Sequence, residues 1–471
     1  MVTQERRTLD ASIVDAFAQT IRGQVIQPSD EAYDRARTVR NGLIDRRPAA
    51  IVRCRGTGDV ASAVRFAAEH ALTLSVRGGA HNVAGTAVND DGLVIDLSDM
   101  RAVHVDPERG TALVQGGATW GDVDRETQRY AMSVPGGVVS TTGVGGLTLH
   151  GGLGHMRRTY GLSIDSIVAV EVVTADGEVR TASPDRHADL FWAVRGAGSN
   201  FGVVTSFEFR MHPIGPEVFL AGVMYPQEDA VTVLRGWREF AEGSPDEINA
   251  IALLWSVPDH EAFPEELRRR PIVLTAAIYD GPVAEGERAT QALRELGEPL
   301  LDLSHPEAFV EVQQAFDPFF PTGRNYYWKS TYVDNLSDEA IAVIIERGRA
   351  RGSGMSAVTL WQLGGAITRV DPRATAYYRR DAPCLLAAEA TWDGADGTEE
   401  NIRWSRDTVA AMQPFSHGGM YVNFGGFGEE KEAILRTTYG PNYDRLVEIK
   451  NTYDPGNLFH MNQNIPPTVS G

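Results

Sequence analysis

The chain has 471 residues, 42% hydrophobic and 23% charged, enough for two or three compact units with substantial cores. Its 44 Lys+Arg against 63 Asp+Glu leave a formal charge of −19. That field repels nucleic acid, and no apolar stretch approaches the length that spans a bilayer.

The opening residues lack the apolar core of a signal peptide, so a cytoplasmic protein is expected, a monomer or homodimer with neither membrane nor nucleic-acid partner. Ala50-Ile51-Val52 reads as a strand, with Thr57 as the cap of a following helix and Asp59 in its first turn. Val60, Val64, Ala67, Ala68 and Ala71 then fall on one helical stripe. Cys54 and Cys384 offer neither a disulfide framework nor a metal site, and no metal is expected. Strands at Leu74-Ser75-Val76 and 93–97 complete a strand–helix–strand beginning, which calls for a sheet domain of mixed α and β structure.

Glycine then concentrates in three places: 76–82, just after a strand; 135–154, with eight glycines; and 195–202. Glycine lets backbone N–H groups approach an anion closely, and three such loops in one sheet domain point to a dinucleotide. There is no G-x-G-x-x-G opening a helix after the first strand and no G-K-[ST], so the architecture is not the usual nucleotide fold. His150 and His155 stand five residues apart in a glycine loop, which fits metal ligation poorly. His150 is placed near the nucleotide and His155 at the surface. Beyond 215 longer apolar runs, 251–255 and 272–278, alternate with charged helical segments such as 285–296, as in an antiparallel sheet covered by helices on one face. After 425 come a helix at Tyr443–Tyr453, a stop at Asp454-Pro455-Gly456 and a tail too short for its own core, which must pack back on the N-terminal half.

Several segments carry a family resemblance. Val76–Asn82 with Gly85, 136–154, Arg157-Arg158-Thr159-Tyr160-Gly161-Leu162, Asp189–Gly196, Tyr453–Phe459 and Asn462-Gln463-Asn464-Ile465 match, in order, the berberine bridge enzyme-like flavoproteins of the vanillyl-alcohol oxidase superfamily. In length and layout the chain is similar to bacterial members of the hydroxynicotine oxidase and aclacinomycin oxidoreductase type. The resemblance implies an α+β protein: a PCMH-type FAD-binding domain of two α/β subdomains plus a substrate domain with an antiparallel sheet covered by helices. The boundaries are drawn at 1–214, 215–425 and 426–471, the last returning to the FAD-binding domain. It implies FAD joined covalently through His81, with Arg77, Gly78, Gly79, Ala80, Asn82, Thr142, Gly143, Gly145, Gly146, His150, Gly151, Gly154, Val203, Asn423, Asn462 and Asn464 around the cofactor.

Two departures matter. Where many relatives carry a second link through Cys, this chain has Val139, so a single attachment is expected. At the oxygen-access position, usually Val in oxidases and Leu in dehydrogenases, it has Thr142.

Flavin oxidation of an alcohol or amine needs a C–H bond aimed at the flavin and a base for the heteroatom proton. Tyr421-Val422-Asn423 resembles the family's Tyr-x-Asn strand. It makes Tyr421 the base, through a lowered pKa, or the hydrogen-bond partner of the substrate oxygen. The stretch 361–369 resembles the one where plant alkaloid enzymes place a catalytic Glu. It holds no carboxylate here, leaving Gln362 and Arg369 as substrate contacts. The expected activity is an FAD-dependent oxidase acting on a sugar, polyol, secondary-metabolite alcohol or amine, with O2 reduced to H2O2. The alternatives are a dehydrogenase or oxidative cyclase using another acceptor, or a non-catalytic binding protein.

Overall fold

The computed structural model describes residues 11–428 and 432–468. Strands β1 (Gln24–Ile26), β2 (Ala50–Arg53), β3 (Leu74–Arg77) and β4 (Leu93–Asp96) form a sheet in the order β1-β2-β4-β3, with β4 parallel to both neighbours. Ile51, Val52, Leu93, Val94 and Ile95 are all buried, as expected where a parallel sheet is covered on both faces. Helix Thr57–Glu69 makes the crossover, and its Val60, Val64 and Ala67 join the core under β2 and β4. Thr57 does not cap that helix. Gly56 holds the N-cap position, while the Thr57 hydroxyl donates to Glu171 at 2.6 Å and ties the helix to the next sheet.

Next come β5 (Val103–Asp106), β6 (Thr111–Gln115), β7 (Met132–Ser133), β8 (Ile167–Val173), β9 (Val179–Ala182), β10 (Val203–Arg210) and β11 (His212–Pro213). Five of them make an antiparallel sheet in the order β5-β6-β10-β8-β9, and β7 pairs with β11. The rest of the strands are β12 (Glu217–Pro226), β13 (Ile248–Ser256), β14 (Pro271–Tyr279), β15 (Leu301–Asp302), β16 (His305–Ala308), β17 (Asn325–Val333), β18 (Ala357–Gln362) and β19 (Cys384–Trp392). They form one antiparallel sheet ordered β15-β12-β14-β13-β18-β19-β17, with β16 also on β12.

The two-residue period of these strands decides what each face meets. Ala250, Ala252 and Leu254 share a core with Val233, Leu234 and Trp237 of helix Ala230–Gly243 and Ile341, Ile344 and Ile345 of helix Asp338–Arg349. Ile251, Leu253 and Trp255 belong instead to the core that includes the N-terminal half. Helices thus cover one face of the sheet, and the opposite face is left to the N-terminal lobe and the site.

Helix Tyr443–Tyr453 packs on helix Ala188–Ala197, with the Arg445 guanidinium 4.0 Å from the Trp192 ring centre. Lys450 locks the return. Its Nζ, fully buried, donates to Asn200 O (2.9 Å), Asp454 Oδ2 (2.7 Å) and Phe459 O (2.9 Å), which uses all three of its protons.

Candidate active site

The turn after β3 is built by close backbone approach. A Cβ on Gly79 would stand 2.4 Å from Gly143 N, and one on Gly143 2.3 Å from Gly79 N, so the first two glycine loops touch only because both lack side chains. Ala80 sits at φ 55, a left-handed conformation that costs a non-glycine residue energy and redirects the chain at His81. The His81 ring is held on both sides: Nε2 lies 2.8 Å from Arg40 Nη1 and 3.0 Å from Thr141 Oγ1, and Nδ1 lies 3.1 Å from Thr142 Oγ1. Burial and the Arg40 charge hold its pKa well below 6.5, so the imidazole is neutral at physiological pH.

From this turn a cavity of about 1840 Å³, counted with its open mouth, runs to β13, β18 and β19. Of the residues expected around the cofactor, Gly78, Gly79, Ala80, His81, Asn82, Thr142, Gly143, Gly145, Gly146, His150, Val203, Asn423 and Asn462 all line it. Gly146 would place a Cβ in open space, which leaves room there for a ligand. His150 contacts Ser199 Oγ at 2.8 Å, and burial pushes its pKa down to about 4. Asn462 donates to Ser199 O at 2.7 Å, while its buried Oδ1 has no partner and is free to accept from a ligand.

Four residues expected at the cofactor do not reach the cavity wall. Arg77 donates to Ala36 O (2.8 Å) and Thr38 O (2.7 Å) and braces the end of the short helix Tyr33–Arg37. Gly151 takes φ 115 beneath Tyr377, and Gly154 is needed because a Cβ would fall 1.5 Å from Gly136 O. Asn464 keeps a buried, unpartnered Oδ1 outside the lining.

At the far end the register tiles the cavity-facing side of the large sheet. Ile251 and Leu253 lie opposite Trp361 and Thr359, and Trp328 opposite Glu389, and all six line the cavity. Phe424 joins this aromatic wall, with ring centres 5.6 Å from Trp328, 5.9 Å from Trp361 and 4.9 Å from Tyr421. The indole N–H groups of Trp328 and Trp361 are buried without partners. Glu389 accepts a hydrogen bond from Thr359 Oγ1 at 2.9 Å, and burial pushes its carboxyl up to about 7. A carboxyl titrating there can take and return a proton near neutrality.

Tyr421 caps the 3-10 turn Val422–Phe424 in an extended conformation and belongs to no strand. Its oxygen accepts from Gly152 N (3.2 Å), Leu153 N (2.9 Å) and Asn423 Nδ2 (2.9 Å). These donors favour the phenolate, yet burial outweighs them and the phenol stays above its ordinary value of 10. The lowered pKa expected of a tyrosine base is therefore not found.

Two further expectations need correction. Gln362 points away from the cavity: its Oε1 accepts from Ala250 N at 3.0 Å, and its Nε2 donates to Ala241 O (2.7 Å) and Ser244 Oγ (2.8 Å). Arg369 ends a short helix with its side chain 61% exposed and paired with Asp246. Neither residue lines the cavity. His155, expected at the surface, is buried, and its pKa is pushed down to about 3.

Sequence reasoning missed Glu389 and Arg40. Glu389 had a readable signal, since it is the lone carboxylate in the apolar run Cys384–Trp392, and such a group must find a partner or a function. Arg40 had none, because only folding brings it to residue 81.

The sequence profile described as "FAD binding domain" matches residues 48–183, and that described as "Berberine and berberine like" matches 420–466. The (R)-6-hydroxynicotine oxidase of Paenarthrobacter nicotinovorans is 33% identical over 466 residues, covering 96% of this chain and 98% of its own. Xylooligosaccharide oxidase of Thermothelomyces thermophilus is 30% identical, covering 91% and 89%. Among solved structures, 6-hydroxy-D-nicotine oxidase from Arthrobacter nicotinovorans superimposes with a TM-score of 0.84 at 29% identity over 94% of this chain and 98% of that one. The free Asn462 acceptor, the open Gly146 face and the paired glycine turns suit a flavin dinucleotide. With relatives aligned along nearly its whole length, the chain belongs to the berberine-like FAD-linked oxidoreductases.

Proposed function

We propose that this oxidoreductase is a small-molecule oxidase whose flavin is joined to His81 alone and whose substrate lies against Glu389, Tyr421 and the Trp328–Trp361–Phe424 wall. The observation that carries this reading is the single cavity that begins at the His81 turn and ends at a buried carboxyl. FAD, when bound, supplies the two-electron acceptor and passes electrons to O2. Glu389 takes the proton from the substrate O–H or N–H, and Thr359 orients it and stabilises its ionised form. Tyr421, held by three donors, presents a fixed hydroxyl to the substrate heteroatom. The aromatic wall offers flat apolar area, with two indole N–H groups as its free donors. Such a surface suits an alcohol or amine on a mainly apolar frame better than a long sugar chain, whose many hydroxyls need many partners.

Three observations support the single link: His81 is neutral, it is fixed between Arg40 and Thr142, and Val139 lines the same cavity in place of a thiol. Division at 1–214, 215–425 and 426–471 accords with the large sheet opening at Glu217 and the tail locking through Lys450. The test is an anaerobic panel of sugars, polyols, aromatic alcohols and amines, scored by loss of oxidised flavin colour. O2 uptake with H2O2 release is then followed for each hit. A panel in which no compound bleaches the flavin refutes the reading, and bleaching without O2 uptake assigns another acceptor. Acid precipitation should carry the colour down with wild type and leave it in solution for His81→Ala.

A further inference from the structure

Arg40 is a buried guanidinium placed with unusual care. Its backbone N–H donates to Ala80 O at 3.2 Å, one residue before His81, and its own carbonyl accepts from Gly323 N at 2.8 Å. The next residue, Asn41, donates to Val83 O (2.7 Å) and Tyr326 O (2.8 Å). Residues 40 and 41 therefore clamp the attachment turn from both sides. Beyond His81 and Thr141, the charge meets the face of Tyr326, 5.8 Å to the ring centre, and the more distant field of Asp317.

A guanidinium has donors only. The 2.8 Å contact with Nε2 therefore requires a lone pair on that nitrogen, and the neutral ring carries its hydrogen on Nδ1, facing Thr142 Oγ1. Arg40 and Thr142 both line the cavity, so the cavity wall alone does not choose between the two nitrogens, and the engagement of the Nε2 lone pair by Arg40 does.

We propose that Arg40 is the positioning residue for flavin attachment: by engaging Nε2 it keeps His81 neutral and leaves Nδ1 as the nitrogen that is linked. This rests on the histidyl-flavin reading above. Linking replaces Nδ1–H and one C–H of a flavin methyl group by one N–C bond. Two protons and two electrons leave, and one O2 takes them to become H2O2. Nδ1 has a lone pair for the new bond only once its proton leaves, and Thr142 Oγ1 relays it, accepting from Nδ1–H while passing its own hydroxyl proton into the cavity. After linkage through Nδ1, Nε2 keeps its lone pair and the Arg40 bond persists. Linkage through Nε2 would consume that lone pair and set a methylene against the guanidinium. The arginine thereby favours one of two otherwise similar products.

The experiment compares wild type, Arg40→Met and Arg40→Lys, each produced with ample flavin. Total flavin is read by absorbance, linked flavin by acid precipitation, and the linked nitrogen by NMR of the flavin peptide. Wild type should be linked through Nδ1. Arg40→Met should still hold flavin but link it about tenfold more slowly, the loss expected for one charge-assisted hydrogen bond, or through both nitrogens. Arg40→Lys should restore part of the rate. Wild type linked through Nε2, or Arg40→Met linking at the normal rate through Nδ1 alone, would overturn this proposal and leave the histidyl reading intact. Wild type that releases all its flavin on precipitation would overturn both. If the methionine variant does not fold, the wild-type nitrogen and the lysine variant still decide.

Discussion

Replacing Glu389 by Gln separates the function of this carboxyl from its cost to the fold. In the folded protein burial carries it from an ordinary 4.5 to about 7. The folded chain therefore holds the proton more tightly than the unfolded chain, and the associated stability is complete below pH 4.5 and lost as pH rises to about 7. A displacement of that size corresponds to roughly 3 kcal/mol. Gln keeps the shape and an acceptor for Thr359 but cannot ionise. Glu389→Gln should therefore gain about 3 kcal/mol over wild type at pH 8, a gain that vanishes toward pH 4.5, as read by urea unfolding of the flavin-loaded protein. Anaerobic flavin reduction should meanwhile fall by about 10²–10⁴-fold, the usual worth of a general base, and lose its rise through neutral pH. A stability difference independent of pH would refute the buried-carboxyl argument. Unchanged flavin reduction would refute the base assignment while leaving the first argument standing.

Gly146→Ala should fold as well as wild type or gain up to about 1 kcal/mol, because its Cβ meets no protein atom, yet hold less flavin. Melting temperature and the ratio of flavin to protein absorbance check both halves. Tyr421→Phe strips the acceptor from three donors and should cost at least ~2 kcal/mol while slowing flavin reduction. Unfolding and anaerobic reduction of the same variant test these together. Lys450→Met leaves Asp454 charged in the core without its counter-ion, held only by the Leu458 and Phe459 amides, and should destabilise by about 3–5 kcal/mol, measured by denaturant titration.

What could be read from the sequence was what is local. The stripe of Val60, Val64 and Ala67 fixes a helix face, and the alternation of Ala250, Ala252 and Leu254 against Ile251, Leu253 and Trp255 fixes a sheet with two different covers. The glycine turns were legible because backbone contacts as close as that between Gly79 and Gly143 admit no side chain. Errors arose where a side chain had two faces to choose from. Gln362 and Trp361 are neighbours on β18, and alternation sends Trp361 into the cavity and Gln362 to Ala241 and Ser244 behind it. One step of register therefore separates a cavity wall from a structural amide, and family likeness alone did not fix that step.

The proposed catalytic carboxylate shows the same logic from the other side. The segment that resembles the family's acid-bearing stretch lies on β18 and its continuation, where no acid stands, whereas pairing sets Glu389 of β19 directly beside that strand, within reach of Thr359. A sheet presents its face as a two-dimensional tile, so a functional group can come from either of two adjacent strands at nearly the same place. A one-dimensional motif does not record such an exchange. The composition of β19 does, because an ionisable group amid Leu385, Leu386, Ala387, Ala388 and Ala390 has a desolvation cost that only a partner or a reaction accounts for. By the same argument Arg40, buried against a neutral imidazole with the Tyr326 ring beside it, is a second charge whose desolvation asks for a partner or a function.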